Sequence, residues 1–146
     1  MNKTTERVTY NDRIDALAQH LGVEASEIKQ DYKTRYEYGS DIYLVLNDDE
    51  RIEYVSDDIQ YSIAHFRPGF IANFIQRYCK VAIDEEIIRV AQETLDDKCN
   101  EYFIRLIGDY YDYFVQEAID ADGAGHFLNS YDGQEYEVNG FYIYQT

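Results

Sequence analysis

Lysine and arginine are missing from the last 41 residues, and the whole chain carries 13 of them against 29 Asp and Glu, a net charge of −16. A surface so acidic repels phosphate backbones and attracts basic partners, which argues against direct nucleic-acid binding. Proline occurs once, at Pro68, and no Ser/Gly-rich tract marks a linker. One domain spanning 1–146, with a core of ordinary size, is therefore expected. No apolar run is long enough to cross a membrane and no charged-then-apolar leader opens the chain, so the expected location is cytoplasmic, with no membrane partner. Cysteine is scarce: Cys79 and Cys99 stand alone, without CxxC spacing. Two reduced, partly buried thiols are expected, with a single structural disulfide as the alternative.

What the chain does contain is apolar and aromatic material, 45% and 16% of its residues. That is enough to bury a core and excludes a disordered acidic tail. Residues 1–10 are polar and are expected to be loose. Asn11 or Asp12 is placed to cap a helix with Ile14, Leu17, Ala18 and Leu21 on one face, ended by Gly22. Ser26 and the following EIKQ predict another turn or two. This cadence is that of the first two helices of a helix-turn-helix, but DYKTRYEYGSD follows where a basic recognition helix should stand.

DIYLVL, residues 41–46, reads as a strand. Asn47 can then cap an acidic helix with Glu50 at its third position. Ile52, Val55, Ile59, Ile63 and Phe66 form its apolar stripe. Phe70, Ile71, Phe74, Ile75 and Tyr78 predict a short apolar helix after Pro68. Asp84-Glu85-Glu86 opens what reads as the longest helix, with Ile88, Ala91, Leu95, Cys99, Tyr102 and Leu106 inward and Gly108 at its end. A helix over about 110–121 should bury Phe114, Val115 and Ala118. Beyond Gly123 the period changes to two. Strands are expected at 126–129, 135–138 and 141–145, with Asn139-Gly140 as a type I′ turn. The class is α+β: about four to five helices packed on a small antiparallel sheet of three to four strands, ending in a C-terminal β-hairpin.

No motif for chemistry survives inspection. Asp120-Ala121-Asp122-Gly123-Ala124-Gly125 resembles the start of a calcium loop, but Ala124, Leu128 and Tyr131 occupy ligand positions. Glu27-Ile28-Lys29 has the outline of a nuclease ExK site without a basic nucleic-acid path. His20, His65 and His126 fit no HxxxH or HExxH spacing, so neither a metal nor any other cofactor is expected. A small enzyme or ligand site around Asp122, His126, Tyr131 and Asp132 remains as an alternative.

The sixteen tyrosines and the acidic helices fit a binding surface better. Tyrosine supplies rigid amphipathic contact area, and carboxylates on a rigid scaffold can imitate a row of phosphates. The candidate partner-binding residues are Asp48, Asp49, Glu53, Tyr54, Asp57, Asp58, Tyr61, Glu85, Glu86, Glu93, Asp96, Asp97, Glu101, Asp109 and Asp112. The expected partner is a basic, nucleic-acid-handling host protein, and a homodimer is left open.

DGAGHFLNSYDGQEYEVNGFYIYQT, with LVLNDDE earlier, resembles a family of small acidic proteins encoded by bacteriophages and prophages, which carry a DGxGHFLxxYDGxE segment before a short aromatic strand. Members usually hold a basic residue between the two glycines and another near the end of the last strand, where this chain has Ala124 and Gln145. The resemblance covers roughly residues 41–146. It implies a phage or mobile-element origin and action in the cytoplasm of an infected bacterium, and no activity. Small acidic phage proteins often counter host defence, and by that analogy the expected role is of the anti-restriction or anti-CRISPR type. The alternative within that origin is a housekeeping phage protein with a generically acidic surface.

Overall fold

A computed structural model describes residues 10–146, with side chains described from Asp12 onward. The expected loose segment therefore lies, apart from Tyr10, outside the described residues. The chain divides into two compact units, one built from the residues through Tyr54 together with Asp122–Thr146, the other from Val55–Ala121.

The first unit is a five-stranded antiparallel sheet with helix α1 (Tyr10–Leu21) against one face. The strands are β1 (Lys29–Tyr32), β2 (Arg35–Tyr38), β3 (Asp41–Leu46), β4 (Tyr136–Val138) and β5 (Phe141–Gln145), ordered β1-β2-β3-β5-β4. Alternation along β3 and β5 sends Tyr43, Val45, Phe141 and Ile143 toward Ala16, Leu17 and Ala18 of α1. Leu46 and Tyr144, of opposite parity, are equally buried on the other side. The β4–β5 hairpin turns through Asn139 and Gly140, with φ of +53° and +84°; this double left-handed requirement is the type I′ turn that Asn-Gly predicts. Helix α2 (Asp48–Ser62) begins in this unit and continues into the second. Its start is the expected capping box: Asn47 Oδ1 accepts from the Glu50 amide and Glu50 Oε1 from the Asn47 amide, each at 2.9 Å.

The second unit is helical. After α2 come α3 (Pro68–Phe74), with Pro68 at its first position, and a π-helical turn over Ile75–Cys79. Helices α4 (Glu85–Leu95), α5 (Lys98–Ile107) and α6 (Tyr111–Asp122) complete it. The core gathers Val55, Ile59 and Ile63 with Phe74, Phe103, Ile107, Phe114 and Ala118. Phe66, Phe70 and Phe74 each pack their rings 5.1–5.5 Å from Phe114, in tilted or edge-on geometry.

Several expectations need correction. Helix α1 starts at Tyr10, so Asn11 and Asp12 fall inside its first turn instead of capping it. The KQDY and RYEY segments are strands, which brings the sheet to five. Residues 126–129 are not a strand: α7 (Ala124–Leu128) occupies that stretch. The long helix from Glu85 is two helices. It breaks at Asp96, whose φ is +55°, and Asp97, after which Cys99, Phe103 and Ile107 face inward while Tyr102 and Leu106 are exposed. The longest helix is instead α2. Within it Ile52, placed on the inner stripe, is exposed.

Candidate functional site

Of the candidates in the first unit, Asp48, Asp49 and Glu53 stand exposed on the first turns of α2. Their neighbour Glu50 does not: the buried Arg13 grips it through Nη1 and Nη2 at 2.7 and 3.0 Å and also donates to the Val45 carbonyl at 2.7 Å. Burial alone would raise the Glu50 carboxyl. Arg13, the Asn47 amide and Lys33 outweigh it and hold the group below the usual carboxylate range. Tyr54 is half-buried, and its hydroxyl shares a 2.7 Å hydrogen bond with Thr34. It braces the sheet unit and offers little contact surface. Arg51 is likewise spent internally, on Glu135, with its guanidinium 4.7 Å from the Tyr142 ring centroid.

In the second unit Asp57, Glu85, Glu86, Glu93, Asp96, Asp97, Glu101, Asp109 and Asp112 are exposed. Asp58 is half-buried and accepts from Ser62 Oγ at 3.5 Å. Tyr61, 80% exposed, lines a shallow groove of about 620 Å³ with Asp97, Lys98, Glu101 and Ile104. Within the candidate set Glu86 and Glu101 form ion pairs, with Arg89 and Arg105. Both are local pairs on exposed helix faces, where such contacts contribute little. Tyr54 and Tyr61, seven residues apart on one helix, thus have different fates: one is anchored, the other free to make contacts.

Asp122, His126, Tyr131 and Asp132 are not drawn into one constellation. All four are exposed and no hydrogen bond joins any two of them. The His126 ring packs edge-on against Phe127, and Asp132 accepts from the Gln134 amide and the Tyr136 hydroxyl. The histidine that senses Asp132 is His20, whose ring lies 4.7 Å from that of Tyr136. Partial burial lowers its pKa and the Asp132 charge opposes the shift.

The DGAGHFLNSYDG segment has a clear structural purpose. Gly125 lies so close to the Gly133–Gln134 backbone that a Cβ would come within 2.6 Å of it. The buried Asn129 accepts through Oδ1 from the amides of Tyr131 and Asp132, each at 2.9 Å, and donates through Nδ2 to the Gln134 carbonyl at 2.9 Å. The segment is a junction folded around Gly125 and Asn129, which sets Glu135 beneath Arg51 and launches β4.

One surface escaped the candidate set. In the second unit the rings of Tyr78, Tyr110 and Tyr113 lie within 5.6–6.3 Å of one another, and Arg77 binds Glu117 through both Nη atoms at 3.0 and 2.7 Å. The Arg77 bond holds the Glu117 carboxyl below its usual range, and burial pushes the Cys79 thiol up. The spacing of Tyr110, Tyr113 and Glu117 on one helical face was legible. Their meeting with Tyr78 required the fold. Cys79 and Cys99 are both free thiols, Cys99 buried and donating to the Ala91 carbonyl at 2.9 Å.

No protein-family model, curated protein or solved structure matches this chain. Among the described residues no helix is long and apolar enough to cross a membrane, and no group of three or more His, Cys, Asp or Glu could hold a metal ion.

Proposed function

We propose that this is a non-catalytic acidic binding protein of phage or mobile-element origin, which engages and inhibits a basic, nucleic-acid-handling host protein in the manner of anti-restriction or anti-CRISPR proteins. The observation that carries the reading is the row of carboxylates along α2. Asp49, Glu53 and Asp57 recur every fourth residue, all exposed and none in an ion pair among the described residues. Asp48, also exposed, widens the row. These four carboxylates fall within about 14 Å of helix axis, roughly one charge per 3–4 Å. A single DNA strand carries one per about 3.4 Å and the duplex one per about 1.7 Å. By this measure α2 alone imitates one strand, not two, and suits the phosphate track of a basic groove. The phage origin rests on the resemblance of residues 122–144 to the DGxGHFLxxYDGxE family.

Affinity capture from bacterial lysate at low and high salt tests the reading, with wild-type protein beside an Asp48→Asn, Asp49→Asn, Glu53→Gln, Asp57→Asn variant. A nucleic-acid-handling protein should be retained by the wild type at low salt, released at high salt and by competing duplex DNA, and lost from the variant. Tight capture indifferent to both salt and neutralisation would overturn it.

A further inference from the structure

We propose that the Tyr78–Tyr110–Tyr113 triad is a docking surface for an arginine side chain of the partner, which deepens, and rests on, the acidic-binding reading above. The three centroid separations are 5.6, 5.8 and 6.3 Å, nearly equal, so the ring centres form a triangle instead of a column, and the cluster is the platform proposed here. Their interplanar angles of 21–43° make two of the pairs stacked, Tyr78–Tyr113 and Tyr110–Tyr113, and the third tilted. The platform is fixed to the core: Tyr78 stacks on the fully buried Phe74 at 4.4 Å, and its hydroxyl donates to Glu117 at 3.0 Å. Tyr110 and Tyr113 remain 40% and 58% exposed. A rigid aromatic surface at low entropic cost is what binding hot spots are made of.

The chemistry around the rings selects a cation. Asp109, in the 3-10 turn Gly108–Tyr110 that leads into α6, precedes Tyr113 by four residues, and Asp120 follows Tyr113 by seven, two turns along α6. Both are exposed, and Asp120 accepts from Gln116 at 3.0 Å while Asp109 has no hydrogen bond or ion pair among the described residues. The unit as a whole bears 13 Asp and Glu against six Lys and Arg. A second copy would therefore meet this face with like charge, whereas a basic partner is drawn to it.

The preference for arginine over lysine is already written beside the platform. Arg77 lies with its guanidinium 5.2 Å from the Tyr78 centroid while clasping Glu117 through two parallel hydrogen bonds. That is a guanidinium held between a ring and a carboxylate. In the proposed complex an incoming arginine repeats that pairing on Tyr110 and Tyr113, with Asp109 next to Tyr110 in the chain as its carboxylate. A planar, weakly hydrated guanidinium stacks on rings and fits a carboxylate bidentately, and the compact ammonium of lysine does neither as well.

Nuclear magnetic resonance on the full chain tests this, with hexa-arginine and hexa-lysine peptides as probes at low and high salt. The expected result is that Tyr78, Tyr110 and Tyr113 ring resonances and the amides of 109–120 shift together at low salt. Hexa-arginine should bind about two- to fivefold more tightly than hexa-lysine. Tyr110→Ala and Tyr113→Ala, at exposed positions, should erase that preference, while Asp109→Asn weakens both peptides alike. A preference that survives both tyrosine substitutions overturns the platform. So do shifts confined to the α2 carboxylates, an outcome that leaves the acidic-binding reading intact. Absence of binding by either peptide at low salt overturns both. Ring shifts that appear on raising protein concentration without peptide would identify a second copy as the occupant and overturn the arginine assignment.

Discussion

The sheet-bearing unit covers two of its arginines in ion pairs, beside the surface pairs of Lys33 and Arg35, whereas the arginine pairs of the helical unit lie at the surface. In the first, Arg13 is 2% exposed and Arg51 is largely covered, and each is locked to a carboxylate and laid against an aromatic ring of β5. In the second, Arg77, Arg89 and Arg105 pair on the surface, 49–69% exposed. An acid count taken from the sequence treats Glu50, Glu135 and Asp57 as equals. The structure separates them: Glu50 and Glu135 hold the sheet unit together, while Asp57 stays exposed to water. Charge that is internally satisfied contributes to one fold, and charge left at the surface is what a partner can use.

Truncating one arginine in each unit should widen that difference most. Arg13→Ala leaves Glu50 and the Val45 carbonyl without their donor in a covered site, at a cost of about 3–5 kcal/mol. Arg77→Ala removes an exposed pair and should cost about 1 kcal/mol or less. Urea denaturation of the two variants measures both, and equal losses would erase the distinction. Gly125→Ala comes next. Its Cβ would strike backbone, not a yielding side chain, so the junction must shift, at about 1–3 kcal/mol. Its amide resonances should move over residues 123–135, and a silent substitution there would mean the junction is looser than its packing implies.

How much of this was legible depended on whether a local signal agreed with the tertiary outcome. β3, the Asn47–Glu50 box, the helix over 111–122 and the Asn139-Gly140 turn each announce themselves within a few residues, and each forms as expected. β1 and β2 do not, because every residue of KQDY is exposed and only Tyr36 of RYEY is buried, so no alternation marks an edge pair. The break after Leu95 was hidden because Leu95 to Cys99 keeps a helical four-residue interval across it. The turn at Asp96–Asp97 then rotates the face, exchanging Tyr102 and Leu106 for Phe103 and Ile107. Helix α7 was masked by a stretch too short for periodicity to arbitrate. Among the candidate residues exposure was legible for most carboxylates, since helix faces set it. The tying of Tyr54 to Thr34 was not, because that bond spans twenty residues and a sheet register.

Acidification should reach the sheet unit before the helical one. The His20 pKa is lowered from 6.5 in the folded chain. Below that value the unfolded chain binds a proton that the folded one resists, so stability falls as pH drops toward the folded pKa. Glu50 is held below 4.5, so its contribution is complete above that pH and is lost as pH falls through the folded pKa. In the helical unit Glu117 is lowered as well, with the same sign, but through a half-exposed arginine. Residue-resolved amide exchange from pH 7 to 3 should show protection declining first around α1 and β5, and only at lower pH around α6. Simultaneous loss in both units would show that the buried pairs do not set acid stability.

The smallest stability effect is expected where the largest binding effect is, on the outer row of α2. Neutralising Glu53 and Asp57 to amides removes charge from exposed positions that lie past the cap and make no ion pair. Such substitutions should change stability by about 0.5 kcal/mol or less, and relief of self-repulsion in a chain of net charge −16 favours the stabilising side. Capping is untouched, because Asn47 and Glu50 remain. Binding to a basic partner should nevertheless weaken, and the slope of log affinity against log salt should shallow by about one unit per carboxylate that the partner's cations had neutralised, if the row acts as phosphates do. Thermal unfolding and salt-dependent affinity measured on the same variant decide between the two uses of charge. An unchanged salt slope would place the row among solubilising residues, whereas a large stability loss would mean that α2, like Arg13, uses its charge to hold the fold.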